Sequence, residues 1–184
     1  MRKEPNAIIG ILAALCFLAT VPAANWLIQH AGIRCVPSGP CLVPVWPGVE
    51  APSGVLIVGL AFVLRDIVHK TLGVGAAVMA IIAGCLLSAI IAPTSLVLAS
   101  AAAFLISELA DLAVYQPLRR RGFLRAVLFS SVAGAAVDSA VFLQVAFGSQ
   151  DYFLGQLIGK AWMVLAATLT LTVVLKARRV YAIT

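Results

Sequence analysis

Charge is the property this sequence has least of. Seven acidic and 13 basic side chains make up 11% of the 184 residues, while 62% are hydrophobic and the mean hydropathy is +1.08. A soluble core does not need so much apolar surface. No polar stretch is long enough to form a separate soluble domain, so residues 1–184 read as one membrane-embedded unit. Histidine is equally scarce: only His30 and His69 occur, each at the end of an apolar run. That placement excludes a serine–histidine protease working inside the bilayer. No second pair of Cys or His has the spacing of a metal site. The chain carries no P-loop, so it does not hydrolyse ATP itself. It also lacks the paired aspartates of a lipid head-group transferase. The expectation is a non-enzyme with no cofactor and no metal.

What is there is a series of apolar runs. At roughly 20 apolar residues per spanning helix, about six spans account for nearly the whole chain, giving an all-α polytopic membrane protein. The runs extend from about Asn6 to Gln29, Gly54 to Thr71, Ala76 to Ile91, Thr94 to Tyr115, Phe123 to Phe147 and Tyr152 to Leu175. The net charge of +6 does not point to nucleic acid, because most basic residues cluster where the runs end. Arg2 and Lys3 precede the first run, Lys70 follows the second, and Arg119, Arg120, Arg121 and Arg125 separate the fourth from the fifth. Lys176, Arg178 and Arg179 close the sixth. The alternate loops offer only Arg34. The positive-inside rule therefore puts both termini in the cytoplasm of a multi-pass protein of the cell (inner) membrane. A basic start, an apolar stretch and Val21-Pro22-Ala23-Ala24 imitate a secretory signal, but the segment is expected to stay as a first helix.

The longest connection, His30 to Ser53, holds Pro37, Pro40, Pro44, Pro47 and Pro52, too many for a helix. Its Leu42, Val43, Val45 and Trp46 suggest a segment packed on or dipping into the outer interface, with Trp46 as an interface anchor. Cys35 and Cys41 lie in this loop, where a bent Pro/Gly backbone and an oxidising face permit a disulfide. Cys16 and Cys85 fall inside apolar runs and are expected to be small buried side chains. Gly73 and Gly75 are expected to form a tight turn and Pro93 another. Gly155 and Gly159 form a GxxxG pattern, which permits close helix approach.

Charged groups near the bilayer centre cost on the order of 2.5 to 3.5 kcal/mol, so each one inside a run needs a reason to be there. Asp66, Glu108, Asp111, Asp138 and Lys160 are the candidates, with Arg65 nearer the interface. Glu108, Asp111 and Tyr115 share one helix face, as do Ser131, Gly134 and Asp138. One reading makes these residues interhelical glue, Lys160 with Asp138 and Arg65 with Asp66 or Glu108. The other makes them contacts for a polar solute, in which case Asn25, Gln29 and Gln156 add amides. Trp26, Phe62, Phe142 and Trp162 then add flat faces for stacking a ring.

Several of these residues fall into an ordered set. Asn25-Trp26-Leu27-Ile28-Gln29 is followed by Leu64-Arg65-Asp66-Ile67-Val68 before Gly73. Glu108-Leu109-Ala110-Asp111 then leads into Tyr115-Gln116-Pro117-Leu118-Arg119. Ser130-Ser131-Val132-Ala133-Gly134-Ala135-Ala136-Val137-Asp138-Ser139 and Gly159-Lys160 complete it. Five such motifs on five spans resemble the queuosine precursor transporter (VUT) family. The chain departs from the family pattern in placing Arg65 before Asp66 and an acidic Glu108 where the family also carries an amide. The resemblance implies import of 7-cyano-7-deazaguanine or its 7-aminomethyl relative by alternating access, as a lipid-embedded secondary transporter serving tRNA modification. The substrate-binding set implied is Asn25, Trp26, Gln29, Asp66, Glu108, Asp111, Asp138, Phe142, Gln156 and Lys160. A carboxylate accepts from the N1–H and exocyclic amine of such a base, and Lys160 or an amide donates to its carbonyl. The alternatives are a substrate-binding subunit of an energy-coupling vitamin importer, which needs an ATPase partner, and, from a different class, an intramembrane enzyme. Six short helices leave little interior, which makes a homodimer an additional expectation.

Overall fold

Apolar runs fold as helices in a bilayer because every backbone N–H and C=O must find its partner within the segment. In the computed structural model, which describes residues 4–37, 39–91 and 97–181, six helices form: α1 Glu4–His30, α2 Val55–Leu72, α3 Val74–Ile91, α4 Val97–Leu118, α5 Phe123–Phe147 and α6 Phe153–Tyr181. The basic pair Arg2 and Lys3 and the turn at Pro93 lie outside the described residues, as do the side chains of Lys176, Arg178 and Arg179. Five of the helices are long and apolar enough to cross a membrane. The sixth, α2, has 18 residues and carries Arg65, Asp66 and Lys70.

The most polar helix occupies the middle. α2 packs against all five others, while α1, α3, α4, α5 and α6 follow one another around it. Large apolar side chains such as Ile11, Leu15, Met79, Leu86, Ile90, Leu98, Phe129 and Leu169 point outward. An apolar exterior around a polar centre is the arrangement a lipid solvent selects. Small residues let the helices approach closely. A Cβ added at Gly59 of α2 would lie 2.7 Å from the Lys160 carbonyl oxygen of α6, and one at Gly134 of α5 would lie 2.8 Å from Asp111 Cβ of α4. Both close approaches occur at ionisable residues.

The proline-rich connection is a three-stranded antiparallel sheet, β1 Arg34–Cys35, β2 Cys41–Trp46 and β3 Val49–Pro52. Arg34 faces Leu42, Cys35 faces Cys41 and Leu42 faces Pro52, with an irregularity between Pro44 and Trp46. Proline removes a ladder donor, which small sheets tolerate at edges and bulges. Here the prolines exclude helix without excluding strand. Arg34 and Glu50 pair at 2.5 Å across the exposed face, and the hydrogen bond and charge of Glu50 push the ionisation of Arg34 above its ordinary value. The sheet rests on α1 and α6. Trp162 donates to the Val45 carbonyl at 3.1 Å and stacks on Trp46. Trp46 therefore has a protein partner as well as an exposed face.

Two expectations change. Cys85 is half-buried and Cys16 exposed on the outer surface of α1, so only part of the predicted burial holds. The tight turn is Gly73 alone, at φ +93°, with α3 starting at Val74. The Gly155/Gly159 pattern is used inside the chain: a Cβ at Gly155 would lie 3.3 Å from Ala51 Cβ of β3, and one at Gly159 would lie 2.8 Å from Val55 Cγ1 of α2. The Cys35–Cys41 disulfide does form and ties β1 to β2. Intact mass after alkylation is expected to show two reactive thiols, Cys16 and Cys85, without reductant and four with it. Four without reductant would contradict the bond.

Candidate functional site

Two polar centres lie inside the bundle, one toward the end carrying the sheet and one toward the end carrying Arg119–Arg121. At the sheet end is a cavity of about 90 Å³, far more than a single water needs. All six helices and β3 contribute walls, among them Asn25, Pro52, Val58, Ser88, Phe104 and Phe142. Lys160 and Asp138 also line it. The Lys160 ammonium is buried and donates to Asp138 Oδ2 at 2.6 Å, Ser139 Oγ at 2.7 Å and Gln156 Oε1 at 2.8 Å. These are its three hydrogens. The Gly59 contact presses α6 against α2 at this lysine, which fixes where the ammonium stands.

Asp138 keeps one lightly used oxygen, since Oδ1 receives only a 3.4 Å contact from Ser107 Oγ. Asn25 uses its Nδ2 on the Val21 carbonyl at 3.0 Å, which leaves its side-chain oxygen as an acceptor. Gln156 has its oxygen on Lys160, which leaves its amide hydrogens as donors. Phe104 and Phe142 supply flat apolar walls. The cavity thus offers acceptors from α1 and α5, a donor from α6 and aromatic faces from α4 and α5.

The second centre is a dry ion cluster. Arg65 of α2 is wholly buried and meets Asp66 Oδ1 through Nη1 at 2.8 Å, Glu108 Oε2 through Nε at 3.2 Å and Asp111 Oδ1 through Nη2. Ser130 of α5 donates to Asp66 Oδ2 at 3.3 Å. Below it, Arg119 contacts His69 Nε2 at 2.8 Å, and the His69 and Tyr115 rings pack at 4.7 Å. A single guanidinium thus joins residues of α2 and α4, and Ser130 adds α5.

The ten predicted site residues separate accordingly. Asn25, Asp138, Phe142, Gln156 and Lys160 line the cavity. Asp66, Glu108 and Asp111 belong to the Arg65 cluster and do not line the cavity, so the implied set divides between the two centres. Trp26 is exposed and stacks on His30, and Gln29 bonds back to its own helix at Asn25. Neither lines the cavity. Of the other rings, Phe62 is core beside Gly134 and Trp162 holds the sheet. The cavity residues that the sequence did not mark, Thr20, Ser88, Ser100 and Phe104, are ordinary constituents of an apolar helix and carry no signal by spacing or charge.

A family model described as "Putative vitamin uptake transporter" matches residues 87–178, half of the chain. The matched stretch holds Glu108, Asp111, Asp138, Phe142, Gln156 and Lys160, while Asn25 and Arg65 lie before it. No curated protein and no solved structure matches.

Removing Arg65 leaves three carboxylates facing one another without their cation. Breaking one side of a buried ion pair costs about 3 to 5 kcal/mol. Arg65→Met is therefore expected to lower the unfolding temperature in detergent sharply, followed by fluorescence-detected size exclusion after heating. A variant as heat-resistant as the parent would show that the cluster does not hold α2 to α4.

Proposed function

Because the chain belongs to the putative vitamin uptake transporter family, we propose that it imports a deazapurine base, 7-cyano-7-deazaguanine or 7-aminomethyl-7-deazaguanine, across the inner membrane through the cavity at its sheet end. That it is a multi-pass membrane transporter follows from the family and from its apolar helices. The ligand and its place are supported chiefly by one observation: a buried Lys160–Asp138 pair, its ammonium fully hydrogen-bonded, stands in the wall of a cavity rather than in a dry seam. Interhelical polar contacts in membranes average only about 0.6 kcal/mol. Glue alone is a weak reason to hold an ammonium and a carboxylate at such a place.

The chemistry of the cavity matches a guanine-like edge. Asp138 Oδ1 accepts N1–H, with the exocyclic amine shared between the same carboxylate and the Asn25 oxygen. The Gln156 amide donates to the ring carbonyl. Phe142 or Phe104 lies against the flat face. Lys160 acts through Asp138: with its three hydrogens already engaged, it holds the carboxylate in its charged, aimed form. With the Arg119–Arg121 end in the cytoplasm, the cavity faces outward and the Arg65 cluster closes the inner side. Alternating access then requires the reverse arrangement, in which contacts at the Arg65 level part and those under the sheet close. Asp66, Glu108 and Asp111 serve this closure in the proposal rather than touching the base.

The test is uptake of radiolabelled 7-cyano-7-deazaguanine into cells unable to make it, with and without the chain. Asp138→Asn and Lys160→Ala are expected to abolish uptake while the protein still reaches the membrane. Phe142→Ala is expected to weaken apparent affinity by about 1 to 3 kcal/mol, the usual worth of one base–aromatic stack. Normal uptake in both charge variants would remove the site assignment. Co-purification of an ATPase with uptake dependent on it would favour the energy-coupling subunit instead.

A further inference from the structure

The Arg65 cluster holds more negative than positive charge. Its guanidinium faces three carboxylates, Asp66, Glu108 and Asp111, and all four side chains are 0% or 1% exposed. Among the described residues, Lys160 is paired with Asp138 and Arg119 contacts His69. Fully ionised, the cluster would bury two more negative charges than positive ones among apolar helices, a costly excess that each bound proton reduces by one. Hydrogen bonding points the same way. Asp111 Oδ2 and Ser131 Oγ are buried without a hydrogen-bond partner. Asp111 stands at the α4–α5 contact, where Gly134 leaves room: a Cβ there would come within 3.1 Å of Asp111 Oδ2. A carboxylic acid hydrogen on that oxygen would let it donate as well as accept at this contact. A metal cation fits poorly, since among the described residues no group of three or more such ligands converges on a metal position and the carboxylates point at a guanidinium instead.

We propose that the Arg65 cluster is a proton-carrying site, with Asp111 as its principal seat, and that import through the cavity is coupled to inward movement of H+; the coupling part rests on the transport reading above. The groups around the site are Arg65, Asp66 and His69 of α2, Glu108 and Tyr115 of α4, Arg119 just after α4, Ser130 and Asp138 of α5 and, through Asp138, Lys160 of α6. Polar side chains lead from the cavity toward the cluster. Asp138, part-exposed there, contacts Ser107, whose neighbour Glu108 meets Arg65. With the sheet end open the cluster is dry and keeps its proton. Opening the arginine end lets water in, a carboxyl in water ionises at neutral pH, and the proton leaves on that side. Once the arginine end has reclosed and the sheet end is open again, the cluster takes a fresh proton from the cavity side, so H+ travels in the same direction as the ligand.

Two measurements test this, the first needing no ligand. Infrared spectra of the purified full chain, taken as pH is stepped upward from neutral, are expected to show a protonated-carboxyl band that disappears in base and is diminished in Asp111→Asn. A parent protein without such a band overturns the proposal, and an undiminished band in the variant overturns the assignment to Asp111. The second uses proteoliposomes and radiolabelled 7-cyano-7-deazaguanine. The parent is expected to exchange label at equal pH and to accumulate it up to about tenfold for each unit of acid-outside gradient, the limit for one proton per ligand. Asp111→Asn is expected to lose that accumulation, with its exchange at equal pH measured beside it to normalise for any change in closure. Exchange that ignores the pH gradient, or follows sodium instead, overturns proton coupling while leaving the transport reading intact. Absence of exchange in the parent counts against the ligand, and the infrared band then decides the proton site alone.

Discussion

A guanidinium buried on the central helix of an apolar bundle sets the terms for everything around it. Arg65 has no water to solvate it, so the helices beside it must bring oxygen atoms to its nitrogens. Asp66 comes from the same helix, Glu108 and Asp111 from one face of α4, and Ser130 from α5 through Asp66. These demands fix the rotation of α4 about its axis and the depth at which it meets α2. Gly134 is the steric counterpart, because α4 cannot bring Asp111 inward unless α5 gives way there. Charge and close packing thus specify the same contact.

A second balance of the same kind is struck at the other end, with a different outcome. Lys160 also satisfies its charge within the protein, but its partners Asp138 and Gln156 line open space. The sheet contributes to this end through β3, whose Pro52 forms part of the wall, and through the hold of Trp162 on Val45. A membrane protein keeps non-helical backbone only where it is paired or sheltered. Here the strands pair with one another and rest on α1 and α6. The bundle therefore has one filled polar level and one hollow one.

The helices were legible in the sequence because hydrocarbon thickness dictates run length and because glycine and arginine mark the ends. The Cys35–Cys41 bond was legible as an option from composition alone. The sheet was not: its prolines argued against helix, and the Pro47–Gly48 turn between two short strands is too small a signal against five prolines in one loop. At the site, buried ionisable residues were found because a charge inside an apolar run stands out. Their division into two groups was invisible. Glu108 and Asp138 lie on different helices, and nothing in their spacing says that one meets Arg65 and the other Lys160. Trp26 and Gln29 lie off the cavity for different reasons: Trp26, next to Asn25 in sequence, points about 100° away around the helix, and Gln29, on the face of Asn25 but exposed, gives its amide to the Asn25 carbonyl. Phe104 had no mark at all.

The saturated ammonium at Lys160 has an effect on how solutes reach the cavity. Positive and negative centres 2.6 Å apart act at a distance as a dipole, whose influence fades faster than that of a lone ion. Arrival at this mouth is governed by ordinary diffusion and shape, not by long-range attraction, so its rate should be nearly indifferent to the ionic strength of the surroundings. Discrimination is exercised only at contact, where a single oxygen of one carboxylate separates molecules that can donate to it from those that cannot.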